Sequence, residues 1–136
     1  MSSDITIINK SAYRIACAPY RTLLRKLLRA LCIRKSVGLL FTDNKGIRVY
    51  NRNFRGKDKA TDVLSFPGEG GHLGDIIISY EWVVRERPPH RRTAIEELIV
   101  HAVLHLTGVH HTYTERSLAE NRRAMDALMT MITAGR

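Results

Sequence analysis

The sequence predicts an α+β fold, in which a small mixed β-sheet of about four strands is packed by about five helices. Two observations predict it. Short β-branched runs bounded by turn residues are typical of strands, and the stretches between and after them carry apolar residues at helical spacing. With 136 residues, 44% of them hydrophobic, the chain can bury one core but is too short for two ordinary ones. We therefore expect a single domain spanning residues 1–136.

The first half of the chain alternates predicted strands and helices. Ile5-Thr6-Ile7-Ile8 is short and β-branched, which predicts the first strand. Pro19 suits the first turn of a helix, and leucines at positions 23, 24, 27, 28 and 31 continue it at helical spacing. The segment from Val37 to Phe41 predicts a second strand. Thr42-Asp43-Asn44 then forms a turn or cap that opens a short helix to about Asn53.

Two further strands are predicted, from Thr61 to Phe66 and from Gly74 to Ser79. Pro67 and a glycine-rich loop separate them. Because this connection is short, we expect the two strands to be antiparallel neighbours. A helical stretch around Trp82 follows, and it ends at Pro88-Pro89 because two prolines break the periodicity.

The C-terminal part carries two more predicted helices. Thr93, with Glu96 three residues later, has the spacing of a capping box, so we expect a helix from Thr93 through His105. A last helix is predicted from near Thr114 to about Gly135.

The composition indicates which class of partner the protein binds and in which cellular compartment it lies. A net charge of +9 and a sequence pI near 10.1 favour a polyanionic partner, although a soluble basic protein without one is the alternative. The basic face of the first helix allows the same two interpretations; it carries Arg21, Arg25 and Arg29. Cys17 and Cys32 form no metal-like pattern, so we expect both to be reduced and buried in a cytoplasmic protein. Neither a secretory signal nor a membrane span is visible, and no membrane partner is expected.

Four of the six histidines lie within residues 101–111. His101 and His105 are spaced i and i+4, so on a helix their imidazoles share one face and can reach one ion. Gly108 can end that helix in the left-handed conformation and let the chain return with a third histidine. Three imidazoles and one open position are typical of a catalytic zinc site, which would lie at the end of a helix in the C-terminal half. Half-buried histidines on an amphipathic helix are the alternative.

The third ligand is expected to be His111 and not His110. The spacing from His101 through Gly108 to His111 equals that of the metzincin peptidases, in which one tight turn returns the chain to the metal. Neighbouring side chains of an extended segment also point in opposite directions, which leaves His110 beside the site. Metzincins carry a glutamate directly after the first histidine, and Ala102 stands there, so a peptidase using that glutamate is not expected.

A second organised stretch runs from Asn53 to Pro67 and places several charges around Gly56 ahead of a strand. Arg55 offers a planar fork for phosphate, and a loop would let it project over a site. Lys57 is a further candidate for substrate contact. A basic turn leading into an edge strand is the alternative interpretation.

Together these stretches resemble the YbeY-type rRNA maturation factor family of metal-dependent single-strand endoribonucleases. The resemblance covers nearly the whole chain and rests on Asn51 through Pro67, on Leu73-Gly74-Asp75-Ile76 and on His101 through His111. It implies one zinc ion per chain on His101, His105 and His111, and a functionally important arginine at Arg55. It also implies a role in 16S rRNA 3′-end maturation and in quality control of the small ribosomal subunit. Ribosomal proteins or an assembly GTPase are further candidate partners.

This sequence departs from the family at two positions. Ala102 stands where the family usually has glycine, and His110 stands where it usually has aspartate. The first change is small, whereas the second removes a carboxylate beside the metal. Asp62 and Asp75 are candidates for orienting the histidines, although capping strand ends would explain them equally well.

Three functions remain open from the sequence. The first is a single-strand-specific, zinc-dependent endoribonuclease. The second is an rRNA-binding or ribosome-binding assembly factor with a structural metal and weak cleavage. The third is a metzincin-like metal hydrolase of another substrate, against which both Ala102 and the net charge argue.

Overall fold

The computed structural model describes residues 4–87 and 89–108. Its four strands are β1 (Ile5–Asn9), β2 (Ser36–Thr42), β3 (Val63–Pro67) and β4 (His72–Ser79). The helices of the described part are α1 (Ala18–Ala30), α2 (Asn44–Arg55), α3 (Tyr80–Glu86) and α4 (Arg91–Leu106). This confirms an α+β fold with a mixed four-stranded sheet. Four helices are seen where about five were predicted, and the remaining one, from near Thr114, lies outside the described residues.

The strands form one sheet in the order β1-β2-β4-β3. The strands β1, β2 and β4 run parallel, with Ile7 opposite Leu39 and Leu39 opposite Ile76. The edge strand β3 is antiparallel to β4, with Leu64 opposite Ile77. The predicted antiparallel pairing of the third and fourth strands is therefore confirmed.

One side of the sheet, here called the closed face, packs against α1 and α4. Alternate residues of the strands point to this side, because side chains in a strand alternate between faces. Leucines of α1 and aliphatic residues of α4 fill the space between the helices and the sheet, so that a single large core forms here. Its fully buried members include Leu24, Leu27, Phe41, Ile76, Ile78, Ile95, Ile99 and Val103.

The other side, here called the open face, packs against α2 through a small cluster of Ile47, Leu64 and Ile77. The helix covers this face mainly over β3 and β4. Ile8 of β1 lies beyond it with 47% of its surface exposed. The two faces of one sheet therefore differ strongly in how completely they are covered.

The sequence signals correctly predicted the start of α1 but not the start of α4. Proline lies at the start of α1, as predicted. The helix α4 begins at Arg91, with His90 as N-cap and the Ala94 amide donating to the His90 carbonyl at 3.0 Å. The capping box predicted at Thr93 and Glu96 is wrong, because both residues lie inside the helix and the Glu96 carboxylate is buried 3.7 Å from Arg92.

The end of α1 explains the exposure of one cysteine. Cys32 follows the helix with a φ of 57°, and its amide donates to the Arg29 carbonyl at 3.1 Å. This position lies beyond the last turn of α1, whose leucines pack on the sheet. The prediction that both cysteines are buried is wrong, since Cys32 is exposed and Cys17 is only half-buried; neither forms a disulfide.

Arg21 of α1 turns toward the sheet and donates from Nη1 to the Ile5 carbonyl at 2.5 Å.

Within residues 4–87 and 89–108, no helix is long and apolar enough to cross a membrane.

Candidate functional site

The histidine pair lies near the C-terminal end of α4. His101 is exposed and His105 is half-buried, whereas Ala102 between them is buried at 2% exposure. The helix turns its aliphatic residues to the closed face, which leaves the two imidazoles one turn apart at the border between core and solvent. The helix ends at Leu106, and Gly108 adopts a φ of 87°, as predicted for the residue that stops it.

His110 and His111 lie outside the described residues. Within the described part of the chain, no group of three histidine, cysteine, aspartate or glutamate side chains could hold a metal ion. The structure therefore places two of the three predicted zinc ligands, and the choice of His111 as the third stays a prediction.

His101 borders a cavity of about 170 Å³ between α3, α4 and the start of β3. Three charged residues line it together with the imidazole: Asp62 ahead of β3, Arg87 after α3, and Glu97 one turn before His101 on α4. The indole of Trp82 contributes to an apolar wall. Trp82, Arg87 and Glu97 were not among the predicted site residues. Only Glu97 had a signal that could have found it, its i, i+4 spacing to His101.

Asp62 is the one predicted partner of the histidines that the structure brings beside His101. Its Oδ1 accepts from the Val63 amide at 2.8 Å and from the Thr61 hydroxyl at 3.3 Å, while its carbonyl accepts from the Ser79 amide at 2.9 Å. The carboxylate thus caps the start of β3. Its role in orienting an imidazole stays a prediction, supported by the shared cavity.

Asp75 lies elsewhere. It follows Gly74 on β4 and points to the open face, opposite to Ile76, which packs on the α4 side. Its Oδ1 is 3.1 Å from Nε2 of His72, and Nδ1 of the same ring is 2.6 Å from the Ser36 hydroxyl. Asp75 is therefore not brought to the histidines of α4, because the alternation of the strand directs its side chain to the other face.

Arg55 is the last residue of α2, and Gly56 caps the helix with a φ of 69°. Arg55 was expected within the loop. It is instead the last residue of the helix, and the loop begins after it. Both Arg55 and Lys57 are exposed. The helix end therefore presents two cations to solvent at the start of the loop.

The loop after α2 is held in place by two contacts. The buried Asn51 side chain donates from Nδ2 to the Lys59 carbonyl at 3.0 Å. Arg48 makes two hydrogen bonds to Asp58, at 2.8 Å to Oδ1 and 3.2 Å to Oδ2. The hydrogen bond from Arg48 lowers the pKa of Asp58, and the same bond raises the pKa of Arg48. Among the described residues, the ion pairs of this region use Arg48 and Arg52 and leave out Arg55 and Lys57.

The two parts of the candidate site lie on opposite faces and are connected around an edge of the sheet. Arg55 ends α2 on the open face, and His101 lies on α4 at the closed face. The segment from Gly56 to Asp62 leads from the first to the start of the edge strand β3, where Asp62 borders the His101 cavity. A polymeric substrate that passes over this edge would meet both parts.

A mixed four-stranded sheet and a helix that ends in an i, i+4 histidine pair define an α+β protein with two candidate metal ligands. The family model described as "Endoribonuclease YbeY" matches residues 6–133. The chain belongs to the YbeY endoribonuclease family, which confirms the resemblance drawn from the motifs.

Individual relatives support the same assignment. The chain is 36% identical over 112 residues to Endoribonuclease YbeY of Bdellovibrio bacteriovorus, covering 79% of this chain and 75% of the relative. It is 37% identical over 121 residues to that of a Sulfurihydrogenibium species, covering 80% of each. The match to a Chelativorans relative is 41% identical but covers 58% of this chain and 55% of the relative.

A solved structure shows the same fold. The solution structure of TM1509 from Thermotoga maritima superimposes with a TM-score of 0.65 over 96% of this chain and 93% of that protein, at 19% identity.

Proposed function

We propose that this chain is a zinc-dependent endoribonuclease that cleaves single-stranded RNA, with one ion held by His101, His105 and His111. The observation that carries the proposal is the histidine pair, one helical turn apart at the end of α4, with His101 beside a cavity that Asp62 and Glu97 also line. Membership of the YbeY endoribonuclease family supplies the reaction class.

The residues present fit zinc. Imidazole nitrogen is a preferred zinc ligand, and a helical i, i+4 pair supplies two such ligands from one rigid element. Both rings lie at the border of the core, where solvent and substrate have access. When bound, the ion would supply a Lewis acid for a phosphate oxygen and lower the pKa of a coordinated water to about 7.

The chain's own groups would bind the substrate and move the proton. Arg55 would grip a phosphate with two parallel N–H donors, and Lys57 would add a cation beside it. Asp62 and Glu97 are the two carboxylates of the His101 cavity, and either can accept a proton from an attacking hydroxyl. Ala102 offers no carboxylate in the position where metzincins carry their base.

We further propose that the substrate is the 3′ end of 16S rRNA in the small ribosomal subunit, and that the protein acts there in maturation and quality control in the cytoplasm. The net charge of +9 supports a polyanionic substrate. Ribosomal proteins or an assembly GTPase are the additional partners proposed.

The decisive experiment compares two histidines of the same helix. His105→Ala is expected to lose bound zinc and at least ten-fold in RNA cleavage, because only two imidazoles would remain for the ion. His90→Ala is the matched control, since His90 is exposed at the other end of α4 and should change neither quantity. Zinc would be measured per chain by mass spectrometry, and cleavage on a labelled single-stranded RNA.

Full zinc content and full cleavage in His105→Ala would overturn the proposed site. Zinc loss with undiminished cleavage would instead favour an RNA-binding assembly factor with a structural metal. Hydrolysis of peptides at a comparable rate would favour the metzincin-like alternative.

A further inference from the structure

The open face carries a cavity of about 840 Å³ that the proposed cleavage chemistry does not use. It lies over β1, β2 and β4, beside α2, on the side of the sheet that faces away from the histidine helix. Its volume is within the range of about 300–1,000 Å³ that is usual for small-molecule and cofactor sites. Its walls are mainly apolar, formed by residues such as Ile8, Leu40 and Ile77.

An aromatic cluster of Tyr50, Phe54 and Phe66 forms one wall of this cavity. The rings of Tyr50 and Phe54 are nearly parallel, 18° apart with centroids separated by 6.3 Å, and Phe66 meets Phe54 edge-on at 5.5 Å. Phe54 is 69% exposed, more than the other large hydrophobic residues that the structure describes as exposed, Ile8 and Val49. Phe54 therefore contacts two other rings and still exposes most of its own surface, so it is available for stacking.

Polar groups occupy defined places around the apolar walls. Lys10 lines the cavity at the β1 end, and Asp4 lies on the same strand side. The Ser36–His72–Asp75 chain of contacts lies on its floor, with the Asp75 carboxylate lying across Gly38, where a Cβ would collide with it. The charged groups of the lining are one cation, Lys10, and two carboxylates, Asp4 and Asp75.

We propose that this groove binds an unstacked base of single-stranded RNA, with Phe54 as the stacking platform. Single-strand binding sites combine aromatic rings that stack on bases with cations that follow the backbone. Arg55 adjoins Phe54 in the chain, so the same strand could place its base on Phe54 and a neighbouring phosphate near Arg55. The Asp75 and Ser36 side chains would then face the hydrogen-bonding edge of the base. The choice of RNA as ligand rests on the proposed function.

The charges and polar groups favour RNA over other occupants. A second copy of this chain would bring another +9 charge to a groove bordered by Lys10 and by the basic end of α2. An aliphatic ligand would remove water from the exposed Asp75 carboxylate without replacing the hydrogen bonds that this water provides. A heteroaromatic base matches both the rings and the polar floor, and its phosphate would lie toward Lys10 or the basic end of α2.

The test compares Phe54→Ala with Val49→Ala, which removes another exposed apolar side chain of α2 that does not line the cavity. The probe is a short single-stranded RNA with one 2-aminopurine, whose fluorescence falls when the base stacks, and a second RNA that lacks a base at that position. Phe54→Ala is expected to weaken binding of the first RNA roughly ten-fold and to abolish the quenching, because loss of one base–aromatic stack costs about 1–3 kcal/mol. Val49→Ala should bind as the unaltered chain does.

Salt dependence separates stacking from charge. Phe54→Ala should keep the slope of log affinity against log salt, whereas Lys10→Ala should reduce it by about 0.7, the value for one phosphate of a single strand. Both RNAs would be checked for integrity after each titration, so that cleavage does not enter the affinities.

The inference would be overturned if Phe54→Ala and Val49→Ala lost equal affinity, or if the unaltered chain bound the abasic RNA equally well. It would also be overturned if Phe54→Ala changed the oligomeric state or greatly lowered the melting temperature while RNA binding stayed the same. Either of these two results would mean that the groove packs against protein. Cleavage that persists while Phe54→Ala binds normally would leave the nuclease proposal standing without this groove. Base-dependent binding without any cleavage would support the groove and oppose the nuclease.

Discussion

The closed and open faces of the sheet are built from the same strands but differ in what they contribute. On β4, Ile76 and Ile78 point to the closed face and are fully buried under α1 and α4, while Asp75 and Ile77 point to the open face, where only Ile77 is covered by α2. The closed face is a packed apolar core against which the histidine helix lies. The open face keeps an accessible groove. Stability and accessibility are therefore divided between the two sides of a single sheet.

The largest expected effect comes from removing the same side chain on each face. Ile99→Ala, in α4, should lower the free energy of unfolding by about 2–5 kcal/mol, because Ile99 is fully buried and a cavity would remain. Ile8→Ala, on the open face, should lower it by at most about 1 kcal/mol, because nearly half of Ile8 is already exposed. Urea unfolding of both variants measures the difference. Similar losses in both would remove the distinction between the faces.

The second effect concerns the edge that connects the faces. Arg55→Ala should reduce RNA cleavage about ten-fold or more without changing the melting temperature, since Arg55 is exposed and outside the ion pairs of the described region. Arg55→Lys should recover only part of the activity, because an ammonium cannot make two parallel hydrogen bonds. Arg85→Ala, which removes an exposed arginine paired with Glu81 on α3, is the control for charge. Full activity in Arg55→Lys would show that charge alone suffices.

A smaller effect on the free energy of unfolding is expected at alkaline pH, and it comes from a tyrosine of the closed face. Burial raises the pKa of Tyr20 from 10.0 to about 12. The unfolded chain therefore loses this proton first, so the contribution of Tyr20 is present below about pH 10 and is lost as the pH rises toward about 12. The free energy of unfolding should fall over this range in the unaltered chain and in Tyr50→Phe, and fall less in Tyr20→Phe. Equal alkaline losses in all three would contradict the assignment to Tyr20.

The smallest effect concerns the loop beside the open face. The hydrogen bond from Arg48 lowers the pKa of Asp58, so the pair stabilises the fold above the usual aspartate pKa of about 3.9, and this contribution is lost as the pH falls below it. Asp58→Asn should therefore be slightly less stable than the unaltered chain near pH 7 and equal to it in strong acid. Because both side chains are half exposed, the change should be close to the resolution of the measurement. A difference in stability between the two proteins that increased in acid would contradict this prediction.

Local patterns were sufficient to predict the strands. Each of the four β-branched runs became a strand within about two residues of its predicted ends, and the short connection at Pro67 correctly made β3 and β4 antiparallel. The stop at Gly108 was equally local, since α4 ends at Leu106 and Gly108 takes the left-handed conformation that glycine adopts readily. Such features depend on neighbours in the chain, which the sequence displays.

One error has a local origin, and the others arise from the way distant segments meet. The start of α4 moved to Arg91 because the His90 carbonyl accepts the first helical bond, a competitor that the Thr93 pattern does not reveal. Asp75 was one of two candidates for orienting the histidines, with capping of a strand end as the alternative, and the strand register directs its side chain to the open face over Gly38. The His101 cavity arises where three elements meet, so Trp82 and Arg87 had no periodic pattern that could identify them.

The contact between Arg21 and the Ile5 carbonyl has a consequence for how separate chains behave. In β1 the even-numbered residues bond to β2, as the Val37 amide to the Asp4 carbonyl and the Lys10 amide to the Phe41 carbonyl show, so the Ile5 carbonyl points outward from the sheet. An exposed strand edge is a template on which another chain can add a strand and begin to aggregate. The Arg21 guanidinium occupies that acceptor and places a positive charge on the edge, where a second chain would meet both an occupied site and a like charge. Part of the positive charge of this protein thus keeps its own copies apart. Replacing Arg21 should therefore increase aggregation more than it lowers RNA affinity.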